Sequence, residues 1–440
     1  MEEMTKKAER MTQSVTFKAI MIGFLTLIML IPSAMIQNLI FERQERSKET
    51  VTRINEKWSR SQIVKGPFLT IPYELEREDK DKTKNIEFSE LTITPETLNI
   101  DAELLPEERY FGIYKSILYK SSIKFNGNFA LKKELFPLGA KILWNDAYIR
   151  IGLSDLRGVS DNMKFVINNT STKADAGGMN DAIGQGLKLT WSNDTLLDIS
   201  ENLQFEADIK LNGSESLNFI PVARTTKVKL LGKWASPGFA GAFSPDYEIT
   251  TNGFVANWKV LHFNRNIPES WTNNQVADFE SSAFGVNLVD TVDHYQQNMR
   301  SAKYAIMFIV LTFVVFFFIE LFTAKRIHAV QYLLVGAALI IFYSLLLSIS
   351  EHLGFTWAYL ISSVATVSLI TAFTLSIFNN KKHSIALTSI LSGLYVFLYV
   401  VLQLEDVALL IGSIALFIIL AVIMYLTAKF KWNVQQDKHS

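Results

Sequence analysis

The chain has 440 residues, and its 43 Lys and Arg are balanced by 43 Asp and Glu. Zero formal charge, with no basic stripe interleaved with aromatics, argues against a nucleic-acid partner. The absence of cysteine excludes disulfides, thiol catalysis and cysteine metal sites.

Hydrophobic residues make up 49% of the chain, but they are unevenly placed. Up to about Arg300 the sequence is polar and strand-like apart from one early apolar run; beyond it nearly everything is apolar. That early run, AIMIGFLTLIMLIPSAMI (19–36), is long enough to cross a bilayer and follows Lys6, Lys7, Arg10 and Lys18. A cleaved signal peptide is the competing reading. The run exceeds a usual signal core and no small-x-small site follows, so an uncleaved anchor is expected. Pro32 is tolerable within it and could kink it.

The next segment reads as continued helix. Glu42/Arg46, Glu49/Arg53 and Glu56/Arg60 are i,i+4 pairs with the acid first, the better orientation. A solvated stalk over 41–60 is the expectation. Residues 61–300 then read as a β-rich domain. FEADIKL (205–211) alternates strictly, with Phe205, Ala207, Ile209 and Leu211 on one face. Asn252-Gly253 joins two strands as a type I′ hairpin would, and Asn126-Gly127 and Asn212-Gly213 repeat the signal. EDKDKTKN (78–85) and TSTKADAGGMNDAIGQG (170–186) read as solvated loops.

Five further spans are expected at 304–322, 329–350, 355–378, 384–402 and 407–426, with alternating basic and acidic connections. The positive-inside rule places the basic connections in the cytoplasm, so both termini are inside and the β-rich domain is outside. The predicted fold is a polytopic α-helical membrane protein with six transmembrane helices and a large β-rich extracytoplasmic domain. Its parts are a tail (1–18), a first transmembrane helix (19–40), the stalk (41–60), the β-rich domain (61–300), a five-helix bundle (301–428) and a C-terminal tail (429–440).

Several long motifs occur in a characteristic order: FERQERSKETV, KGPFLTIPY (65–73), RYFGIYKSILY (109–119), SDLRG (154–158), and FIPVARTTKVKLLGKWASPGFAGAFSPDYEITTNGFVANWKV. VDHYQQNMRSAKYAIMFIVLTFVVFFFIE, HAVQYLLVGAALIIFYSLLLSISEH and LQLEDVALLIGS follow in the apolar half. Together they resemble the CreD family of bacterial inner-membrane proteins over nearly the whole chain. One departure is HAVQY, where the family pattern implies HPxQY; Ala329 leaves that turn softer. The resemblance implies inner-membrane localisation with the outer domain in the periplasm and both tails cytoplasmic. It also implies a role in envelope integrity and stress tolerance, including the response to β-lactams and tolerance to a colicin. It carries over no catalytic residue.

No phosphate-binding loop, dinucleotide fingerprint, HExxH pair or nucleophile elbow is present in a suitable context, so no enzyme activity and no cofactor are expected. One constellation is worth weighing. Asp290, Asp293 and His294 precede the second span, Glu351 and His352 follow the third, and Glu405 and Asp406 separate the last two. All should share one membrane depth, and a carboxylate–imidazole group could bind a cation or relay protons. Hairpin tips also need polar residues, and simple solvation is the preferred account. Glu320 is the other candidate, near Lys325 at the inner edge; snorkelling or ion pairing is preferred over proton carriage. Ala365, Ser368, Ala372 and Ser376 form a small-residue stripe suited to close helix packing. The expected function is therefore non-enzymatic support of the envelope, the β-rich domain contacting lipid, peptidoglycan or other envelope proteins. A transporter or channel built from the membrane bundle is the alternative. Oligomeric state is left open.

Overall fold

The structure, a computed structural model, describes residues 15–78, 84–168, 170–177, 183–190, 202–272, 278–288, 293–323, 327–378, 381–404 and 408–429. The chain divides into two compact units, Met1–Arg46 with Val292–Ser440, and Ser47–Thr291.

The second unit is built from two sheets that share one apolar core. In the first sheet the long strand Gln62–Glu78 is central. It pairs antiparallel with Lys84–Ile93, Lys141–Ile142 and Tyr148–Leu153, and parallel with Ser216–Phe219. The second sheet runs in space as Asp246–Thr250, Gly253–Leu261, Thr225–Gly232, Thr97–Phe111, Tyr114–Ala130, Asn202–Ser214 and Lys164–Ile167. Only the Thr225–Gly232 and Thr97–Phe111 pairing in it is parallel. Thr170–Ala176 joins the sheets, pairing with Lys164–Ile167 on one side and Gly186–Thr190 on the other.

Alternation explains how the core forms. Phe205, Ala207, Ile209 and Leu211 are buried while Glu206 and Lys210 face solvent, as the period of two requires. Phe205 meets Phe129 at 5.1 Å and stacks on Phe165 at 6.3 Å between ring centroids. Each such ring removed from water contributes about 1.5–3 kcal/mol.

A hairpin does join Asp246–Thr250 to Gly253–Leu261, but its two loop residues are Thr251 and Asn252. Gly253 already pairs with Thr250 and Asn252 does not take positive φ, so the expected type I′ turn centred on Asn252-Gly253 is not the one formed. The other two Asn-Gly pairs do not turn. Asn126-Gly127 lies within Tyr114–Ala130, and Asn212-Gly213 within Asn202–Ser214. The glycines serve close approach instead. A Cβ on Gly127 would sit 2.1 Å from the Thr97 carbonyl oxygen, and one on Gly213 would sit 2.2 Å from the Tyr119 hydroxyl. The expected loop 170–186 likewise contains a strand, Thr170–Ala176.

The first unit is helical. Helix α1 spans Val15–Trp58 without interruption at Pro32. The others are α2 (His294–Lys303), α3 (Ala305–Thr323), α4 (Ala329–Leu353), α5 (Phe355–Phe378), α6 (Lys381–Gln403) and α7 (Ala408–Lys429). Among the described residues, α1, α4, α5 and α6 are each long and apolar enough to cross a membrane. Helices α2 and α3, meeting at a 41° bend, make a fifth candidate. Helix α2 was not expected, because its residues were assigned to the β-rich domain. Yet Asp293 and Gln296 carry the N-cap signature of a helix start.

Gly354 explains the tight step from α4 to α5. It adopts φ 76°, and its N–H returns to the Ser350 carbonyl at 3.1 Å. Ala329 occupies the first position of α4, after an extended His328 (φ −78°, ψ 150°) whose N–H is accepted by Gln331 at 2.9 Å. The capping bond therefore forms without the proline that the family pattern implies there.

Candidate functional site

Within the helical unit, Asp293 caps α2. Its Oδ1 accepts from the N–H groups of Tyr295 (2.9 Å) and Gln296 (3.3 Å), and its Oδ2 from Gln44 of α1 (3.3 Å). Near the end of α4, Glu351 accepts from the Tyr295 hydroxyl at 3.2 Å and pairs with Arg43 of α1 at 4.0 Å. Asn298 adds a buried bond to Ser350 at 2.7 Å. Asp293 and Glu351 are thus brought together through Tyr295, and both are held by protein donors from α1 and α2. His294 is half-buried with its ring on that of Tyr295, and His352 is exposed. Glu405 and Asp406, like Asp290, lie outside the described residues. Among the described residues, no three His, Asp or Glu side chains come together as a metal site. The arrangement ties three helices together.

Glu320 is 5% exposed and fully engaged. It pairs with Lys18 of α1, accepts from the Ile327 N–H at 3.0 Å, and accepts from the Tyr332 hydroxyl at 3.2 Å. Lys325, the basic residue expected nearby, lies outside the described residues; the cation bonded here comes from 302 residues away. Three donors therefore satisfy a carboxylate that has no access to water.

The small-residue stripe is corrected. Ala365, Ser368, Ala372 and Ser376 are exposed, and the packed face of α5 carries Ala358, Ser362, Thr366, Ile370 and Thr374. The i,i+4 spacing was visible, but the neighbouring stripe fits equally well by size. Only the partner helices select between them.

A third cluster, not anticipated, lies in the β unit where α1 becomes a strand. Asp155 accepts from the Arg157 side chain at 2.9 and 2.8 Å and from the N–H groups of Arg157 and Arg60, each at 3.1 Å. Arg157 in turn donates to the Glu56 carbonyl of α1. Gln62 bridges Ser59 (2.9 Å) and the Asp155 carbonyl (2.8 Å). Asn55 joins Ser116 (2.5 Å) to Glu215 (2.9 Å), and the Arg109 guanidinium covers Trp58 at 4.6 Å. The end of the expected solvated stalk is therefore docked. Burial alone would raise the Asp155 carboxyl, but the Arg157 guanidinium and the two N–H groups outweigh it and hold it below the usual carboxylate range. SDLRG was legible as a motif, though not as this clamp.

A second motif has a similar role. Buried Arg265 gives its guanidinium to the carbonyls of Val222 (2.7 Å), Ala223 (3.2 Å) and Ile267, pinning the FIPVAR segment. Burial pulls its pKa down to about 10, which leaves it charged at neutral pH. On the first sheet, Tyr148 donates to Glu90 at 2.8 Å. Burial and the Glu90 carboxylate push that phenol up to about 12.

Apolar helices with acids locked in ion pairs and caps, joined in sequence to a two-sheet β unit, define a membrane protein with a β-rich domain. The family model described as inner membrane protein CreD matches residues 14–433. The chain is 31% identical over 413 residues to Inner membrane protein CreD of Escherichia coli (strain K12), covering 92% of this chain and 91% of that protein. The chain belongs to the CreD family of inner membrane proteins.

Two measurements check the clusters. Glu320→Leu should lower the stability of the detergent-purified protein by about 3 kcal/mol, the low end for breaking a buried ion pair. Adding Lys18→Met should cost less than the sum of the two single changes; strictly additive losses would contradict the coupling. For Asp155, the depressed pKa means that its stabilisation is complete above its unfolded value near 4. It is lost as pH falls through the lower folded value. Thermal unfolding should therefore separate wild type from Asp155→Asn at pH 7, and the gap should close on acidification below about pH 4.

Proposed function

We propose that this protein supports the integrity of the cell envelope under stress, with its β unit outside the cytoplasm contacting envelope components. In this reading the chain crosses the membrane six times, through α1, the bent α2–α3 pair, α4, α5, α6 and α7. Both termini then lie in the cytoplasm. Charge supports that arrangement. Lys325 and Arg326, Lys381 and Lys382, and Lys429 and Lys431 mark one side, while Glu351 and the Glu405–Asp406 pair mark the other.

The observation that carries the reading is the size and polarity of the β unit, which occupies Ser47–Thr291 between α1 and the remaining helices. A non-enzymatic role fits the acids weighed for chemistry. Among the described residues, Asp293, Glu320 and Glu351 are committed to caps, ion pairs and helix-to-helix bonds. In a bilayer, such satisfaction offsets the cost of keeping a polar side chain between helices.

The chain lacks cysteine, so single substitutions report topology cleanly. In intact spheroplasts, a membrane-impermeant maleimide should label Leu138→Cys at once and Asn380→Cys only after lysis. The reverse pattern, or equal labelling at both, would contradict the arrangement.

A further inference from the structure

The outward face of the second sheet carries a groove of about 790 Å³, lined by Asn99, Lys124, Asn126, Asn128, Gln204 and Asp208 among others. It continues into a hollow of about 500 Å³ that shares Asn99 and Asn126. Both lie within the size range of ligand sites.

Three neighbouring rows of side chains cross the strands here. Two carry amides: Asn99 opposite Asn126 opposite Glu206, and Thr97 opposite Asn128 opposite Gln204. Asn99 donates to Asn126 at 2.8 Å, Asn128 donates to Asn202 at 2.7 Å, and Thr97 donates to Asn128 at 2.5 Å. A carboxamide bonded sideways to its neighbour keeps a second N–H and further lone-pair capacity for a ligand. The other row is charged. In register it reads Lys164, Asp208, Lys124, Asp101, Lys229, Asn257. One Asp208 carboxylate oxygen is shut from solvent with no hydrogen-bond partner. Buried acceptors of this kind cost free energy until a donor arrives.

This pattern selects among ligand chemistries. In the larger groove Lys124 and Lys164 are balanced by Glu206 and Asp208, so it offers no net field for a polyanion or a polycation. Apart from Val166, the side chains that reach its surface are polar or charged, since Phe125, Phe205 and Ala207 are buried beneath it, so it offers no continuous apolar trough for an acyl chain. What it matches is a ligand that is itself rich in secondary amides and hydroxyls, with an occasional carboxylate. Strands about 4.8 Å apart also present one polar group per strand at close to the length of a pyranose ring.

We propose that this groove binds a chain of N-acetylated amino sugars, the glycan of the cell wall, laid across the strands. Acetamido groups pair with the Asn99, Asn126 and Asn128 carboxamides, and sugar hydroxyls donate to Asp208 and Asp101. The identity of the ligand rests on the proposed placement of the β unit outside the cytoplasm, whereas the groove's chemistry does not.

The test is calorimetric titration of the full-length protein in detergent with a β-1,4-linked hexamer of N-acetylglucosamine. Saturable binding is expected, weakened about tenfold or more by Asn126→Ala with Asn128→Ala at unchanged melting temperature. Should that pair lower the melting temperature, Asp208→Asn at the groove edge serves instead, with the same weakening expected. A glucose hexamer with the same linkage should bind at least about tenfold less tightly. No saturation, equal binding of both hexamers, unaffected variants, or tighter binding of an acidic polysaccharide would each overturn the proposal. Binding by a protein whose β unit labels from the cytoplasm would uphold the groove and sink the proposed function. No binding by a correctly oriented protein would do the opposite.

Discussion

A helix that runs directly into the central strand of a sheet leaves its last carbonyls and the strand's first amides without partners in either element. This chain meets that constraint at one place, between Asn55 and Ile63. Arg157 takes the Glu56 carbonyl, Asp155 takes the Arg60 N–H, and Ser154 takes the Ile63 N–H at 3.0 Å. Gln62 is 0% exposed and donates its amide to the Ser59 hydroxyl and to the Asp155 carbonyl. These bonds fix where the strand Gln62–Glu78 begins, and so fix its register against four neighbours. The strand is buried on both faces here, so a slip by one residue would exchange Leu69 and Ile71 with Phe68 and Thr70. The short SDLRG segment therefore sets the first sheet, and through Thr170–Ala176 and the shared core it sets the second.

The helical unit solves a different problem with similar means. Acids left unpaired among apolar helices would be costly, and Asp293, Glu320 and Glu351 are each met by at least one donor distant in sequence. Lys18, Ile327 and Tyr332 surround Glu320; Arg43, Gln44 and Tyr295 meet Glu351 and Asp293. Both arrangements recruit α1, so the N-terminal helix is fastened to the bundle at two points along its length. Side chains engaged in this way hold the helices in position.

Local pattern carried much of the fold. Alternation in FEADIKL identified a strand and its buried face, and the apolar runs identified the helices. The failures share a cause. Asn126-Gly127 and Asn212-Gly213 look like turns because Asn-Gly accepts positive φ, but the chain uses glycine there for proximity to Thr97 and Tyr119. The wrong stripe on α5 and the unforeseen Lys18–Glu320 pair likewise depend on which distant element lies alongside. The N-cap of α2 differs in kind: Asp293 and Gln296 were legible locally and were passed over because strand-like sequence preceded them. Among the weighed site residues, their shared depth could be read from sequence, whereas their commitment to Tyr295, Gln44 and Arg43 could not.

In the proposed function the β unit contacts envelope components and the apolar helices anchor the chain in the membrane. A chain ending at Thr291 keeps α1 and the whole β unit while lacking α2–α7. The decisive measurement is survival of envelope stress by cells lacking the native protein and expressing this shortened chain at normal abundance. Restoration of tolerance to near the level given by the intact chain is the predicted result. Complete failure to restore it, with the β unit folded and exposed outside, would contradict the account and place the activity in the membrane helices.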